Sequence, residues 1–388
     1  MKDTNKIRVA HFGQKHANSR EGGVEVVVGE LAKRQVEMGY EVTCYNRKGH
    51  HISGAEHDVP LVSEWNGVHM KYVPTIEKKG LAAVSASFWA AVCCAFGPYD
   101  IVHVHAEGPA AFCWIPRLFG KKIVVHNHGL DWQREKWDEG FGAGRRFIKH
   151  GERIGAKKSH AMVVLSKAIQ DYFAVEYNKS TVLVPNGINR PEIQTADYIR
   201  KEYGLEKGSY ILFLGRATSE KRPELLIDAY KKVKTDKKLV IAGGASDSQE
   251  YVDLLKKKAN GDPRIIFTGY VDGVEKAELY SNAYVYVLPS DLEGMAICLL
   301  EAMSYGNCCL VSDIPENTMV VKNHARVFQR GDLASLVNEL QRLVDDETLV
   351  EEYKKGAADY ICGEFSWDKT VEMIKQIYED ILYRSTEA

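Results

Sequence analysis

Two glutamates stand out by their surroundings. In Asp291-Leu292-Glu293-Gly294-Met295-Ala296-Ile297-Cys298-Leu299-Leu300-Glu301, Glu301 sits within an apolar run from Ile297 to Met303. A carboxylate there is costly unless it has a partner. Glu293 lies in the turn that opens this helical stretch, where the plain alternative is a charge favouring a helix N-terminus. For Glu301 the plain alternative is a surface position. As the acid/base pair of a hydrolase the two fit poorly. Eight helical residues separate backbones by roughly 12 Å, whereas hydrolase carboxyls lie about 5–9.5 Å apart. Holding different parts of one extended ligand suits the spacing better.

Cations occupy a second segment. Gly215-Arg216-Ala217-Thr218-Ser219-Glu220-Lys221 follows the strand-like Tyr210–Leu214 and precedes a helix opened by Pro223. Arg216 and Lys221 at the carboxyl end of a strand suit a diphosphate; the alternative is a pair of solvated loop charges. Gly22-Gly23 follows the first strand and opens a helix, where a bare backbone and a helix N-terminus favour anionic oxygens, or simply make a tight turn. The G-x-G-x-x-G dinucleotide fingerprint is absent from this turn, which counts against an NAD enzyme. No Asp-x-Asp triplet occurs, so a divalent ion has no visible carboxylate set.

Histidines 103 and 105 alternate along one strand, and 126 and 128 along another, so each pair shares a face. Such spacing could bind a metal, but the sequence pattern offers no third ligand. His128 is the site candidate; for His105 a structural hydrogen bond is the alternative.

These residues need a scaffold, and the chain alternates short β-branched runs with amphipathic ones, the mark of parallel βαβ architecture. Strands are predicted at 7–12, 41–46, 68–74, 101–105, 122–128, 161–166 and 181–185, with helices over 23–38 and 81–96. After Pro185-Asn186-Gly187 a polar linker runs to about residue 208. Strands then resume at 210–215, 239–243, 265–269, 284–289, 309–313 and 325–328, with helices over 223–233, 249–259, 275–281, 296–305 and 333–345. A final helix over 369–382 carries an apolar stripe (Val371, Ile374, Ile377, Ile381) that must pack on something. Two doubly wound α/β sheets in tandem place ligands at the carboxyl ends of their strands, so a cleft between the domains is the expected site.

Composition agrees with two domains. The chain has 388 residues, 45% hydrophobic and 27% charged, and a net charge of −2, which gives no global pull toward nucleic acid. Its eight cysteines form no C-x-x-C pair and read as reduced core residues of a cytoplasmic protein. Residues 1–6 lack the apolar core of a secretion leader. Leu81–Gly97 is the one stretch that resembles a membrane span; it falls short of the roughly 20 residues required and reads as a buried helix.

Taken together, Glu293-x7-Glu301, Gly215-Arg216-x4-Lys221, Gly22-Gly23, His128-Gly129, Ser166 and Pro185-Asn186-Gly187-Ile188 resemble the signature of the family-4 retaining glycosyltransferases, in the family's order and over essentially the whole chain. The resemblance implies a GT-B fold, with two Rossmann-like domains facing across a cleft. Residues 1–186 would bind acceptor, 187–365 the nucleotide-sugar, and 366–388 would form a helix that can pack back on the first domain. It also implies roles. Arg216 and Lys221 would hold the donor diphosphate and stabilise the leaving nucleotide, and Glu301 would bond the ribose. Glu293 would contact the transferred sugar, with the backbone at Gly215, Gly294, Met295 and Ala296 against the donor. Gly22 and Gly23 would admit the diphosphate, and His128 would touch the reacting region.

The family link further implies retention without cofactor or metal, and fixed cations can stabilise a departing diphosphate unaided. One departure is Met319, where the family usually has Glu after Ser312-Asp313.

More narrowly, Ser19–Glu25, Asn46–His51 and His128–Trp137 are similar to bacterial capsule and exopolysaccharide transferases, rhamnosyltransferases among them. The expected donor is a UDP-sugar, with dTDP-rhamnose or a GDP-sugar open, and the acceptor a glycan or lipid-linked saccharide. Arg145–Lys158 holds six basic residues and one acid, read as a solvated face or as a peripheral contact with the inner face of a membrane. Two rivals remain: a nucleotide-sugar epimerase of the same fold, and a non-catalytic donor-binding subunit.

Overall fold

The computed structural model describes residues 6–49, 59–78, 80–134, 142–244 and 249–383. They form two compact units, Met1–Asn186 with Trp367–Ala388, and Gly187–Ser366.

The first unit holds strands β1 (Arg8–Phe12), β2 (Glu41–Arg47), β3 (Glu64–Trp65), β4 (Val68–Val73), β5 (Ile101–His105), β6 (Lys122–His126), β7 (Ala161–Val164) and β8 (Val182–Leu183). Its helices are α1 (Gly23–Glu37), α2 (Leu81–Phe96), α3 (Glu107–Ala110), α4 (Trp114–Leu118), α5 (Ala143–Lys158) and α6 (Lys167–Tyr177). The sheet runs β3-β4-β2-β1-β5-β6-β7-β8, parallel except for β3. Val9, Ile101, Val102, Val104, Ile123 and Val124 are fully buried, as expected of strands covered on both faces.

The second unit is built from α7 (Tyr198–Tyr203), β9 (Tyr210–Leu214), α8 (Pro223–Tyr230), β10 (Lys238–Ala242), α9 (Gln249–Ala259), β11 (Ile265–Gly269), α10 (Gly273–Asn282) and β12 (Val285–Leu288). It continues with α11 (Ile297–Ser304), β13 (Cys308–Ser312), α12 (Pro315–Val321), β14 (Arg326–Phe328), α13 (Leu333–Asp345), α14 (Glu347–Lys354) and α15 (Ala357–Glu364). Its parallel sheet has the order β11-β10-β9-β12-β13-β14, the dinucleotide-fold order with a reversal between its first and fourth strands. The last helix, α16 (Trp367–Tyr383), belongs to the first unit. Its stripe buries Val371, Ile374 and Tyr378. The Tyr378 hydroxyl lies 2.6 Å from His103 Nδ1 on β5 and accepts from Gln35 Nε2 on α1 at 3.1 Å.

Where the structure departs from the sequence reading, the causes are local. The strand predicted over 122–128 ends at His126, because Asn127–Gly129 turns out of the sheet. The strand over 161–166 ends at Val164, because Ser166 caps α6 by accepting from Ile169 N. Residues 186–208 are not a bare linker: α7 lies there, with Ile199 N on Glu278 Oε2 and the Tyr203 hydroxyl on Glu275 Oε1 of α10. Nor is Leu81–Phe96 buried throughout, since its largest side chains face outward. The cations of α5 divide as well. Arg145 donates to Trp132 O, and Lys149 covers the Trp132 ring and pairs with Glu152, whereas Arg146, Arg153, Lys157 and Lys158 are exposed. His50, His51 and residues 135–137, quoted above for the resemblance, lie outside the described residues.

Tyr378→Phe removes the hydrogen bonds to both Gln35 and His103. It is expected to cost about 1–2 kcal/mol, read as a lower urea midpoint for the first unit. An unchanged midpoint would show that these two hydrogen bonds do not hold α16 in place.

Candidate active site

In the second unit the reversal in strand order makes β9 and β12 neighbours, so the loops after them converge. Gly215 follows β9. Its approach to β10 depends on Gly243, which sits at φ +140° and whose added Cβ would lie 1.8 Å from Gly215 O. Beyond Arg216, the turn Ser219–Lys221 is tied to the loop after β12 by Asp291 N donating to Glu220 O at 2.7 Å. Arg222 adopts the left-handed region (φ +53°) and pairs with Asp291 and Glu224, each at 2.6 Å.

This lacing buries Lys221. Its Nζ donates to Glu293 Oε1 at 2.5 Å and lies 3.7 Å from Cys298 Sγ; Ser290 Oγ donates to the same carboxylate oxygen at 2.7 Å. Burial disfavours the lysine's charge, but Cys298 and Glu293 outweigh it and hold the pKa above its ordinary value, against opposition from nearby Arg216. Lys221 is therefore a fixed cation, and an ammonium has three N–H donors. One is taken by Glu293 and a second points at Cys298 Sγ.

The alternative reading of Arg216 and Lys221 as solvated loop charges does not fit their burial. Arg216 is half-buried and Lys221 is buried, at 6% exposure. The helical spacing assumed between Glu293 and Glu301 does not apply either: α11 begins at Ile297, and Glu293 lies on the preceding loop. Gly294, Met295 and Ala296 are buried there.

Glu301 is buried on α11. Lys276 Nζ donates to its Oε1 at 2.7 Å and the Tyr280 hydroxyl to its Oε2 at 3.3 Å, both from α10. The sequence reading missed Lys276, which looks like any helix-surface lysine. It also missed Glu316, in the first turn of α12. Burial raises the Glu316 pKa, and the charge of Glu293 raises it further. The signal for Glu316 lay three residues beyond Asp313, inside the helix that carries Met319.

In the first unit, β1 lies beside β5 and β5 beside β6, which lines five imidazoles along one face. Gln35 Oε1 accepts from His11 Nε2 at 2.8 Å, since the Gln35 amide nitrogen is used on Tyr378. His11 Nδ1 must then accept from His105 Nε2 (3.0 Å), and His105 Nδ1 from His128 Nε2 (3.1 Å). The chain of bonds leaves Nδ1 of His128 as its lone-pair nitrogen. Burial depresses the pKa of His11 and His128 to about 4 and those of His103, His105 and His126 well below 6.5, so all are neutral near pH 7.

His11 is a third imidazole beside His103 and His105, a residue that the sequence pattern did not reveal; His105, His126 and His128 form a second close set. The rings are stacked rather than convergent. His103 and His105 lie 4.4 Å apart at 15°, and His126 and His128 lie 4.4 Å apart at 11°. A metal binds in the plane of an imidazole at about 2 Å, and near-parallel stacked planes have no common point of that kind.

The loop after β6 is held by Glu107, which accepts from Asn127 Nδ2 (2.9 Å) and Asp131 N (3.1 Å); Asn127 Oδ1 accepts from Gly129 N (2.9 Å). Burial, then the charges of Asp131 and Glu152, push the Glu107 pKa well up. Just before it, Ala106 takes φ +71°, a strained conformation for a residue with a Cβ. Gly22 caps α1 and Gly23 is its first residue. Glu25, buried in the first turn, accepts from Lys15 N at 3.0 Å, so this helix start already carries a carboxylate. Gly22, Gly23 and His128 thus belong to the first unit, and the remaining site candidates to the second.

Two family models account for most of the chain. Residues 21–190 match the one described as Glycosyltransferase Family 4, and 196–360 the one described as Glycosyl transferases group 1. The chain belongs to these family-4 glycosyltransferases and is an enzyme of that class. It is similar to the Escherichia coli UDP-Gal:alpha-D-GlcNAc-diphosphoundecaprenol alpha-1,3-galactosyltransferase, 28% identical over 73% of this chain and 76% of that one. It is likewise similar to the Bacillus anthracis N-acetyl-alpha-D-glucosaminyl L-malate synthase, 28% identical over 73% and 75%. Among solved structures, sucrose-phosphate synthase from Thermosynechococcus elongatus superposes with a TM-score of 0.81 over 98% of this chain and all of that one, at 19% identity. Anabaena HepE in complex with UDP-glucose gives 0.79 over 96% and 100%, at 14%. The fold is GT-B.

Lys221→Ala leaves a buried carboxylate without its cation and is expected to destabilise the second unit by about 3 kcal/mol, whereas Arg216→Ala costs under about 1 kcal/mol. Equal thermal midpoints for the two variants would mean that Lys221 is not buried as described. The histidine face adds an acid dependence. Its folded pKa values lie below the unfolded value of about 6.5, so the unfolded chain binds the extra protons. Stability is then full above about pH 6.5 and is lost as pH falls toward 4. The urea midpoint should drop steeply between pH 7 and pH 5. His126→Phe, at a ring whose two nitrogens have no partner, should flatten that slope by up to about 1.4 kcal/mol per pH unit. A pH-independent midpoint would contradict the burial of these rings.

Proposed function

We propose that the chain is a retaining, metal-independent glycosyltransferase that moves a sugar from a nucleotide diphosphate to a glycan or lipid-linked acceptor in bacterial surface polysaccharide synthesis. The observation that carries this reading is the buried, charged Lys221 beside Arg216 at the strand-order reversal of the second unit. When the bond from the sugar's anomeric carbon to the diphosphate oxygen breaks, negative charge collects on that diphosphate. Arg216 and the third N–H donor of Lys221 stabilise it in place, with no reorganisation at the moment of reaction.

Glu293 has two tasks in this scheme: it keeps Lys221 protonated despite burial, and it stands toward the transferred sugar. Glu301, fixed by Lys276 and Tyr280, accepts from ribose hydroxyls. Backbone at half-buried Gly215 and at buried Gly294–Ala296 lines the donor. In the first unit the Nδ1 lone pair of His128 accepts from a sugar or acceptor hydroxyl, and Gly22 and Gly23 admit the diphosphate once the Glu25 carboxylate, whose Oε2 lies over Gly22, turns away. The acceptor oxygen attacks the anomeric carbon from the face the diphosphate leaves, and its proton passes to the departing oxygen. A UDP-sugar is the first choice of donor, with dTDP-rhamnose and GDP-sugars next. The acceptor named for the Escherichia coli relative, alpha-D-GlcNAc-diphosphoundecaprenol, favours a lipid-linked acceptor here, met by a cytoplasmic enzyme in peripheral contact through α5. Among the described residues no helix is long and apolar enough to cross a membrane.

A thermal-shift panel of UDP, GDP, dTDP and ADP tests the donor assignment, because a ligand of the native state raises its midpoint. One nucleotide should stabilise the chain, and Arg216→Ala should abolish that shift. Glu301→Gln should raise the donor KM more than it alters the acceptor KM. No response to any of the four, or an unaltered response in Arg216→Ala, removes the diphosphate assignment. Conversion of the donor sugar without transfer would point to an epimerase.

A further inference from the structure

Helix α2 is packed with its small side inward. Ala82, Ala86, Ala90, Ala91 and Cys94 are buried against the sheet, whereas Phe88, Trp89 and Phe96 face outward, Phe96 at 74% exposure. Helix α4 and the residue after it continue the pattern: Trp114, Leu118 and Phe119 are exposed, and the Phe119 ring meets that of Phe96 with centroids 4.7 Å apart. A largely apolar pocket of about 640 Å³, lined by Met70, Cys93 and Phe96 with Lys48 and Lys71 among its other walls, opens beside Phe96. Large aromatic groups are not left contiguous on a water-facing surface without a use.

Charge identifies the occupant. Neither α2 nor α4 carries an acid, and Arg117, Lys121 and Lys122 lie on α4 or just after it. Helix α5 packs beside α4, where Arg117 Nη1 donates to Lys158 O. It exposes Arg146, His150, Arg153 and Lys157 at helical spacing along one side. Aromatic rings bordered by cations match the boundary between acyl chains and anionic headgroups. A second copy of the chain is a poorer match, because a symmetric pairing brings two like-charged borders together.

We propose that the outer face of α2 and α4 is a membrane-docking surface, its aromatic side chains seated at the acyl boundary of an anionic bilayer and the α5 stripe over the headgroups. It rests on the peripheral contact read from α5 and supplies the apolar half that a basic stripe alone lacks. The donor chemistry is independent of it.

Flotation of the full chain with vesicles tests the surface. The chain should float with vesicles containing phosphatidylglycerol and much less with pure phosphatidylcholine. Phe96→Ser with Phe119→Ser should weaken partitioning more than about tenfold. Arg153→Glu with Lys157→Glu should weaken it at least about fivefold per cation removed. Both double variants should melt at the wild-type temperature and keep the nucleotide-induced shift, which separates this surface from the donor reading. Absence of wild-type flotation overturns the proposal, as does undiminished flotation of the Phe double variant. A wild-type dimer that the Phe double variant turns into a monomer overturns it too, by showing that a second copy covers the face.

Discussion

The buried ion pair of Lys221 and Glu293 sets the terms for the second unit. A lysine at 6% exposure keeps its charge only beside a carboxylate, and this carboxylate lies 72 residues further along the chain. The two meet because β12 turns back to lie against β9 instead of extending the sheet beyond β11. The strand order therefore creates an electrostatic object that no local segment contains. The backbone bond from Asp291 N to Glu220 O and the pairing of Arg222 with Asp291 hold the two loops in register, so the cation is positioned before any ligand arrives.

The first unit has the same reversal but fills it differently. There β1 lies against β5, and the side chains that meet are imidazoles rather than ions. Burial keeps them neutral, and the Gln35 amide at one end fixes the proton position on His11, His105 and His128 in turn. One half thus holds a permanent charge and the other a lone pair of fixed direction.

Much of this was legible. Strands rich in β-branched residues and helices of regular period placed most elements within a residue or two, because parallel sheets covered on both sides demand those patterns. Arg216, Lys221, Glu293 and Glu301 were nameable because a charge within or beside an apolar run is conspicuous. What escaped were consequences of strand order. Nothing near His11 announces that β5 will bring His103 and His105 against it, and nothing about Lys276 marks it as the partner of Glu301. The burial of Lys221 was missed for the same reason: its loop reads as polar, and the loop that covers it comes from elsewhere. The two-residue β3 has no period to detect, and α7 lies in a segment too polar to suggest packing.

Helix α2 shows a different blindness of sequence patterns. Hydropathy counts apolar residues around a helix without asking which side is large. With alanines inward, α2 comes close to the sheet, and its contribution to the core is made by backbone proximity and small side chains. Phe88, Trp89 and Phe96 therefore stay at the surface, where Phe88 meets Phe112 and Phe96 meets Phe119. The small face of α2 thus serves the core, and its large face is packed on neighbouring rings at the surface.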